Sequence, residues 1–182
     1  GLPLYAVLRP AGIALDPAGG LWIAERDGNR IRRVDAAGII TTVAGTGEFG
    51  DSGDGGPATS ATLYEPIDVA RGPSGALVIA DKRNARVRQV ATDGTMSTLA
   101  GTGSVETIGD GGPALHATLD QALGMTVDAT DALIVIDPVR NRVRRFVPDG
   151  LASTIAGTGE AGFAGDGGPA TDAVLAEPFD VA

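Results

Sequence analysis

Two kinds of residue with chemical potential recur at one fixed interval in this chain: carboxylates and arginines. Asp54, Asp110 and Asp166 each sit in a copy of Gly-Asp-Gly-Gly-Pro-Ala, at positions 53–58, 109–114 and 165–170. Glu25, Asp81 and Asp137 keep the same interval of 56 residues, as do Arg30, Arg86 and Arg142, with Arg32, Arg88 and Arg144 two places further on. Gathered carboxylates offer hard oxygen ligands to calcium or magnesium. Arginine forks offer paired donors to a carboxylate. Periodic acid beside periodic base also has a plainer use, bridging neighbouring strands and blades, and an exposed pair of that kind contributes about 0–1 kcal/mol.

The glycine-rich hexapeptide lacks the marks of a dedicated ion loop. An EF-hand needs oxygen ligands at alternating positions ending in a glutamate, and Asp51-Ser52-Gly53-Asp54 has no such run. No lysine-plus-hydroxyl pair follows the glycines, so a Walker-type phosphate loop is excluded. The hexapeptides read as turn punctuation, with Asp54, Asp110 and Asp166 as local caps that accept backbone N–H bonds while glycine takes positive φ.

Positions at which the repeats disagree are the better place to look for function. The first strand of successive repeats begins Gly12-Ile13, Asp68-Val69, Gly124-Met125 and Asp180-Val181, so aspartate alternates with glycine. Asp68 and Asp180 are the candidate ligands of a calcium-type metal, and Glu65, Glu177, Asp81, Glu25 and Asp137 complete the candidate ligand-binding set around the same rim. The simpler alternative is that each carboxylate hydrogen-bonds a neighbouring loop, since buried carboxylates have partners. Histidine is the residue type suited to a general base at neutral pH, but the loop of His116 holds no evident nucleophile, so it reads as a surface residue and no catalytic residue is assigned. Trp22, aligned with Val78 and Ile134, reads as packing.

These residues must be positioned by a repeated unit. Val43 to Gly47, Leu99 to Gly103 and Ile155 to Gly159 keep the same 56-residue register, a period typical of arrays and propellers. In the middle repeat, apolar runs cover 67–70, 76–80, 86–90 and 96–100, separated by hairpin-type connections such as Gly72-Pro73-Ser74-Gly75 and Thr92-Asp93-Gly94. Each repeat is therefore a four-stranded antiparallel meander, followed by a long crossing that carries the hexapeptide and admits at most one helical turn, at 113–119 or 169–175. Four strands and one crossing make a β-propeller blade. The whole of 1–182 reads as one propeller segment, with blades over roughly 11–66, 67–122 and 123–178 and a fourth beginning at 179–182.

Leu77-Val-Ile-Ala-Asp81, Asn141-Arg-Val-Arg144, Ser153-Thr-Ile-Ala-Gly157 and Gly165-Asp-Gly-Gly-Pro-Ala170 together resemble the NHL repeat in its long bacterial form, over essentially the entire chain. The resemblance implies a six-bladed propeller that acts as a binding platform for a protein, peptide or glycan, or as part of an extracellular or periplasmic protein. A minority of similar propellers are metal-dependent hydrolases or lyases, which is the alternative reading. A repeat scaffold with no native ligand, engineered or a fragment, is a further one.

Three blades leave two apolar faces and unpaired strand edges open. Two chains related by a two-fold axis supply six blades, so a homodimer completing the ring is expected. Residues 7–13 and 175–181 occupy the same phase of the repeat, so either the C-terminal strand swaps into the partner's first blade or one copy packs elsewhere.

Composition narrows the partners. With 43% hydrophobic and 20% charged residues the chain can bury a core, and its net charge of −9 disfavours nucleic acid and anionic membranes. The absence of cysteine removes disulfides and thiolate chemistry. No apolar run reaches the roughly 18 residues of a membrane span.

Overall fold

The computed structural model describes residues 9–104, 109–120 and 122–181. Three antiparallel sheets follow one another along the chain, each with its strands in sequence order. The first holds β1 (Pro10–Asp16), β2 (Gly20–Glu25), β3 (Arg30–Val34) and β4 (Ile40–Ala44). The second holds β5 (Pro66–Arg71), β6 (Leu77–Asp81), β7 (Arg86–Val90) and β8 (Met96–Ala100). The third holds β9 (Met125–Val127), β10 (Leu133–Asp137), β11 (Arg142–Phe146) and β12 (Ala152–Ala156). The strands expected in the middle repeat are found within one residue of their expected ends. The one helical turn expected in the crossing is a single 3₁₀ turn, at Ala58–Ser60, Ala114–His116 and Ala170–Asp172. Val7, Leu8 and Ala182 lie outside the described residues.

Every residue of β6 is buried, because its sheet has a neighbour on both faces. A strand covered on both sides reads as a continuous apolar run, and Leu77-Val-Ile-Ala is one. Among the described residues the first sheet packs against one other sheet. Ile13 of β1 is 64% exposed, whereas Val69 and Met125 at the same place in the next two sheets are 2% and 4% exposed.

The apolar core is divided into two seams. Between the first and second sheets lie Trp22, Ala24, Ile31, Leu63, Ile79 and Met96, with the Arg71 guanidinium 5.6 Å from the Trp22 ring centroid. Between the second and third lie Val87, Leu99, Leu119, Leu133, Val135 and Phe146. In both seams the loop after β4 or β8 supplies part of the filling: Ala58, Ala61 and Leu63 in one, Ala114, Ala117 and Leu119 in the other. The inner strands β1, β5 and β9 stand side by side.

The turn from second to third strand ends on a left-handed residue in every sheet, Asn29, Ala85 and Asn141, with φ of 48°, 48° and 49°. Asparagine tolerates that conformation better than most residues. It also uses its amide here: Asn29 Oδ1 accepts the Glu65 N–H at 2.9 Å, and Asn141 Oδ1 accepts the Glu177 N–H at 2.9 Å.

Candidate functional site

The repeated charges meet inside the seams. In β7 the register against β8 shifts between Val87 and Arg88, leaving an extra residue in β8. Such a bulge re-aims side chains, and here Val87 and Arg88, adjacent in sequence, are both fully buried. The Arg88 guanidinium Nη2 donates to Asp54 Oδ1 at 2.6 Å, and the Thr98 hydroxyl donates to Asp54 Oδ2 at 2.7 Å. The next seam repeats the arrangement. Arg144 donates through Nε and Nη2 to Asp110 Oδ1, and Thr154 donates its N–H and hydroxyl to Asp110 Oδ2. Burial raises the Asp110 carboxyl, but the Thr154 hydroxyl and the Arg144 guanidinium outweigh it and hold the group below the ordinary aspartate value. Asp54 and Asp110 are therefore not caps of their own turns. Each is a pin driven from one blade into the third and fourth strands of the next.

Glu25, Asp81 and Asp137 end the second strand of each sheet and are 4%, 0% and 1% exposed. Asp81 accepts the Tyr64 N–H at 2.7 Å and the Asn84 amide at 2.7 Å, with Arg88 Nη1 at 3.7 Å. Burial nevertheless pushes the Asp81 carboxyl up to about 6, against those hydrogen bonds and the arginine. Burial also raises Asp137, which accepts the Arg140 N–H at 3.3 Å. Glu25 faces Arg32 Nη1 at 3.4 Å and Arg30 Nε at 3.5 Å. Glu65 and Glu177 both adopt left-handed backbone, with φ of 49° and 45°, and Glu65 pairs with Arg83 at 3.2 Å.

Asp68 and Asp180 stand apart from the other five. They line a cleft of about 490 Å³ at the ends of the inner strands, together with Gly12, Gly124, Arg26 and Lys82. Asp68 Oδ1 accepts the Val69 N–H at 2.9 Å, and Oδ2 accepts the Met125 N–H of the next blade at 3.0 Å. Burial pushes its carboxyl up to about 6, opposed by those two bonds and reinforced by the negative charge of Asp180. Asp180 accepts the Val181 N–H at 2.9 Å. Among the described residues no group of three or more His, Cys, Asp or Glu is placed to hold a metal ion.

The alternation of glycine and aspartate has a steric cause. A Cβ on Gly12 would lie 2.7 Å from the Ile67 carbonyl oxygen and 2.8 Å from the Asp68 Cα; one on Gly124 would lie 2.7 Å from the Asp180 Cα and 3.0 Å from the Phe179 oxygen. Asp68 in β5, and Asp180 in a segment that forms no strand at 179–181 although one is expected to begin there, each pack against a glycine of the preceding blade, where no side chain fits. Arg26 and Lys82 are the site residues that sequence reasoning did not single out. Their signal was present, since they lie 56 positions apart in the turn after the second strand.

Four-stranded meanders packed face to face, with inner strands side by side around a polar cleft, define an all-β segment of propeller architecture. No protein-family model matches the sequence. Mouse teneurin-1 is 27% identical over 199 residues, a match that covers 95% of this chain and 7% of that protein. A Bacteroides thetaiotaomicron protein of unknown function superposes with a TM-score of 0.71 at 21% identity, over 93% of this chain and 40% of that one. An auxiliary nutrient binding protein from the same organism gives 0.69 at 17% identity, over 93% and 41%. The chain thus spans a small fraction of its curated relative and about two fifths of either solved structure.

Proposed function

We propose that this chain is an NHL-type propeller segment that serves as a binding scaffold, receiving a protein or peptide partner on the cleft at the ends of its inner strands. The observation that carries this reading is the sorting of charge. Of the charges that repeat, Asp54 with Arg88 and Asp110 with Arg144 are consumed in the two seams, while Asp68, Asp180, Arg26 and Lys82 surround one open cleft. Two carboxylates beside two cations suit a partner segment that itself carries both signs. The fold similarity to an auxiliary nutrient binding protein is in keeping with such a role.

A displayed peptide library panned against the full chain tests it. Sequences enriched on the wild type and lost on a chain carrying Asp68→Ala with Arg26→Ala are the expected result; equal enrichment on both would refute the cleft as the site. A calcium-dependent hydrolase or lyase at the same mouth is the second reading, favoured by the Asp68 carboxyl, raised to about 6 beside Asp180. Calcium titration of thermal stability separates the two, because only the second expects stabilisation that Asp68→Ala abolishes.

A further inference from the structure

One pair of side chains breaks the repeat in the crossing between β4 and β5. The rings of Phe49 and Tyr64 lie with their centroids 5.4 Å apart and their planes tilted by 40°. They are 72% and 37% exposed. At the same places in the other two repeats stand Val105 and Ala161 for Phe49, and Asp120 and Ala176 for Tyr64. Neither position is aromatic outside this crossing.

The loop does not need the rings for its shape. Gly50 N–H donates to Leu63 O at 3.3 Å, Thr62 N–H to Ser52 O at 3.2 Å, and Glu48 N–H to the Thr46 hydroxyl at 3.2 Å. The third repeat, with alanine at both aromatic positions, forms the same bonds: Gly162 N–H to Leu175 O at 3.2 Å, Val174 N–H to Ala164 O at 2.9 Å, and Glu160 N–H to the Thr158 hydroxyl at 3.3 Å. In the first crossing the Asn84 amide adds a further tie, donating to Gly50 O at 2.7 Å. Phe49 is therefore held out on a fixed loop with most of its surface in water. Burial does not account for it, and a pre-ordered aromatic of this kind loses little entropy on becoming the anchor of an interface.

The charges around the rings select the partner. Arg83, whose N–H donates to Tyr64 O, is paired through its side chain with Glu65 at 3.2 Å, and Arg86 with Asp51 at 2.6 Å. Both of these cations are matched. Glu48, exposed and adjacent to Phe49, has no partner for its carboxylate among the described residues. The charge left over beside the rings is negative, as is that of the chain, at −9. A cation is drawn to the electron-rich face of an aromatic ring, and a planar guanidinium also stacks on it.

We propose that Phe49, Tyr64 and Glu48 form a binding site for an arginine side chain of a basic peptide segment. The guanidinium lies on the open face of Phe49, Tyr64 backs that ring, and Glu48 supplies the counter-charge. The site is separate from the cleft lined by Asp68 and Asp180 and does not depend on what that cleft receives.

Amide NMR on the full chain, titrated with acetyl-Gly-Arg-Gly-Arg-Gly amide, tests it. The signals of Glu48, Gly50 and Tyr64 should shift and saturate. The same peptide with citrulline in place of arginine, alike in shape and uncharged, should bind about fivefold more weakly. Phe49→Ala should weaken the arginine peptide by about the same factor, in a loop whose third copy already carries alanine there; Glu48→Gln should weaken it by about twofold. The chain carrying Asp68→Ala with Arg26→Ala should bind it as the wild type does. Equal binding of the citrulline peptide, unchanged binding by Phe49→Ala, shifts confined to other residues, or loss of binding in the cleft variant each overturns the inference. Shifts at the same three amides with maltotriose and none with the arginine peptide would make the pair a sugar platform, and overturn it as well.

Discussion

The seams and the cleft use aspartate in opposite ways. In the seams Asp54 and Asp110 recur unchanged because each performs the same mechanical task, and arginine and threonine of the next blade hydrogen-bond both oxygens of each carboxylate. At the cleft Asp68 and Asp180 alternate with glycine because adjacent inner strands share one space, and burial makes the Asp68 carboxyl reluctant to ionise. Difference between repeats is therefore not in itself a mark of function. Here it records which of two neighbours yields.

The largest effect that can break this contrast is at Arg88. Replacing it with methionine leaves Asp81 buried without its cation, and urea unfolding should report a loss of about 3–5 kcal/mol. A loss as small as that of a surface ion pair would show that the pin has no mechanical role.

Proton linkage is next. The folded-state pKa of Asp68, about 6, lies above the roughly 3.9 of an unfolded aspartate. The folded state thus binds the proton more tightly, so its contribution is fully present below about pH 4, is lost as pH rises through 6, and is flat above. At about 1.4 kcal/mol per unit it amounts to at most about 3 kcal/mol. Asp81 adds to the same window, its carboxyl also standing at about 6. Urea midpoints measured from pH 4 to 7 should fall with pH, and Asp68→Asn should flatten the curve; a midpoint that rises over that window would contradict the burial of both groups.

The smallest effect concerns the glycine side of the contrast. Gly12→Ala forces β1 away from the Asp68 strand and should cost about 1–3 kcal/mol, the usual range for overpacking. Thermal melts of Gly12→Ala and Gly124→Ala should fall together, and an unchanged melt in either would mean that the inner strands have room to spare.

Much of the architecture was legible because its signals are local. The 56-residue register, the apolar runs and the turn residues between them are short-range patterns, and they placed the strands of the middle sheet within one residue. The pin was not legible. Asp54 reaches Arg88 across 34 residues and two strands of the following blade, and a bulge turns that arginine inward where simple alternation would place Val87 alone. Asp54 therefore looked like a cap of its own turn. The grouping of seven carboxylates around one rim failed to separate for a related reason: Glu25, Asp81 and Asp137 are adjacent to the turns that face the cleft, but their side chains are buried among arginines. Only burial distinguishes them from Asp68 and Asp180, and burial depends on the neighbouring blade.

Trp22, the chain's single tryptophan, is 6% exposed in the junction of the first two sheets, under the Arg71 guanidinium. Indole emission therefore watches one junction while the other, filled around Phe146, stays dark. Far-ultraviolet dichroism sees all three sheets equally. Coincident midpoints for the two signals would mean that the blades melt as a unit, and a gap between them would time the loss of one joint against the rest.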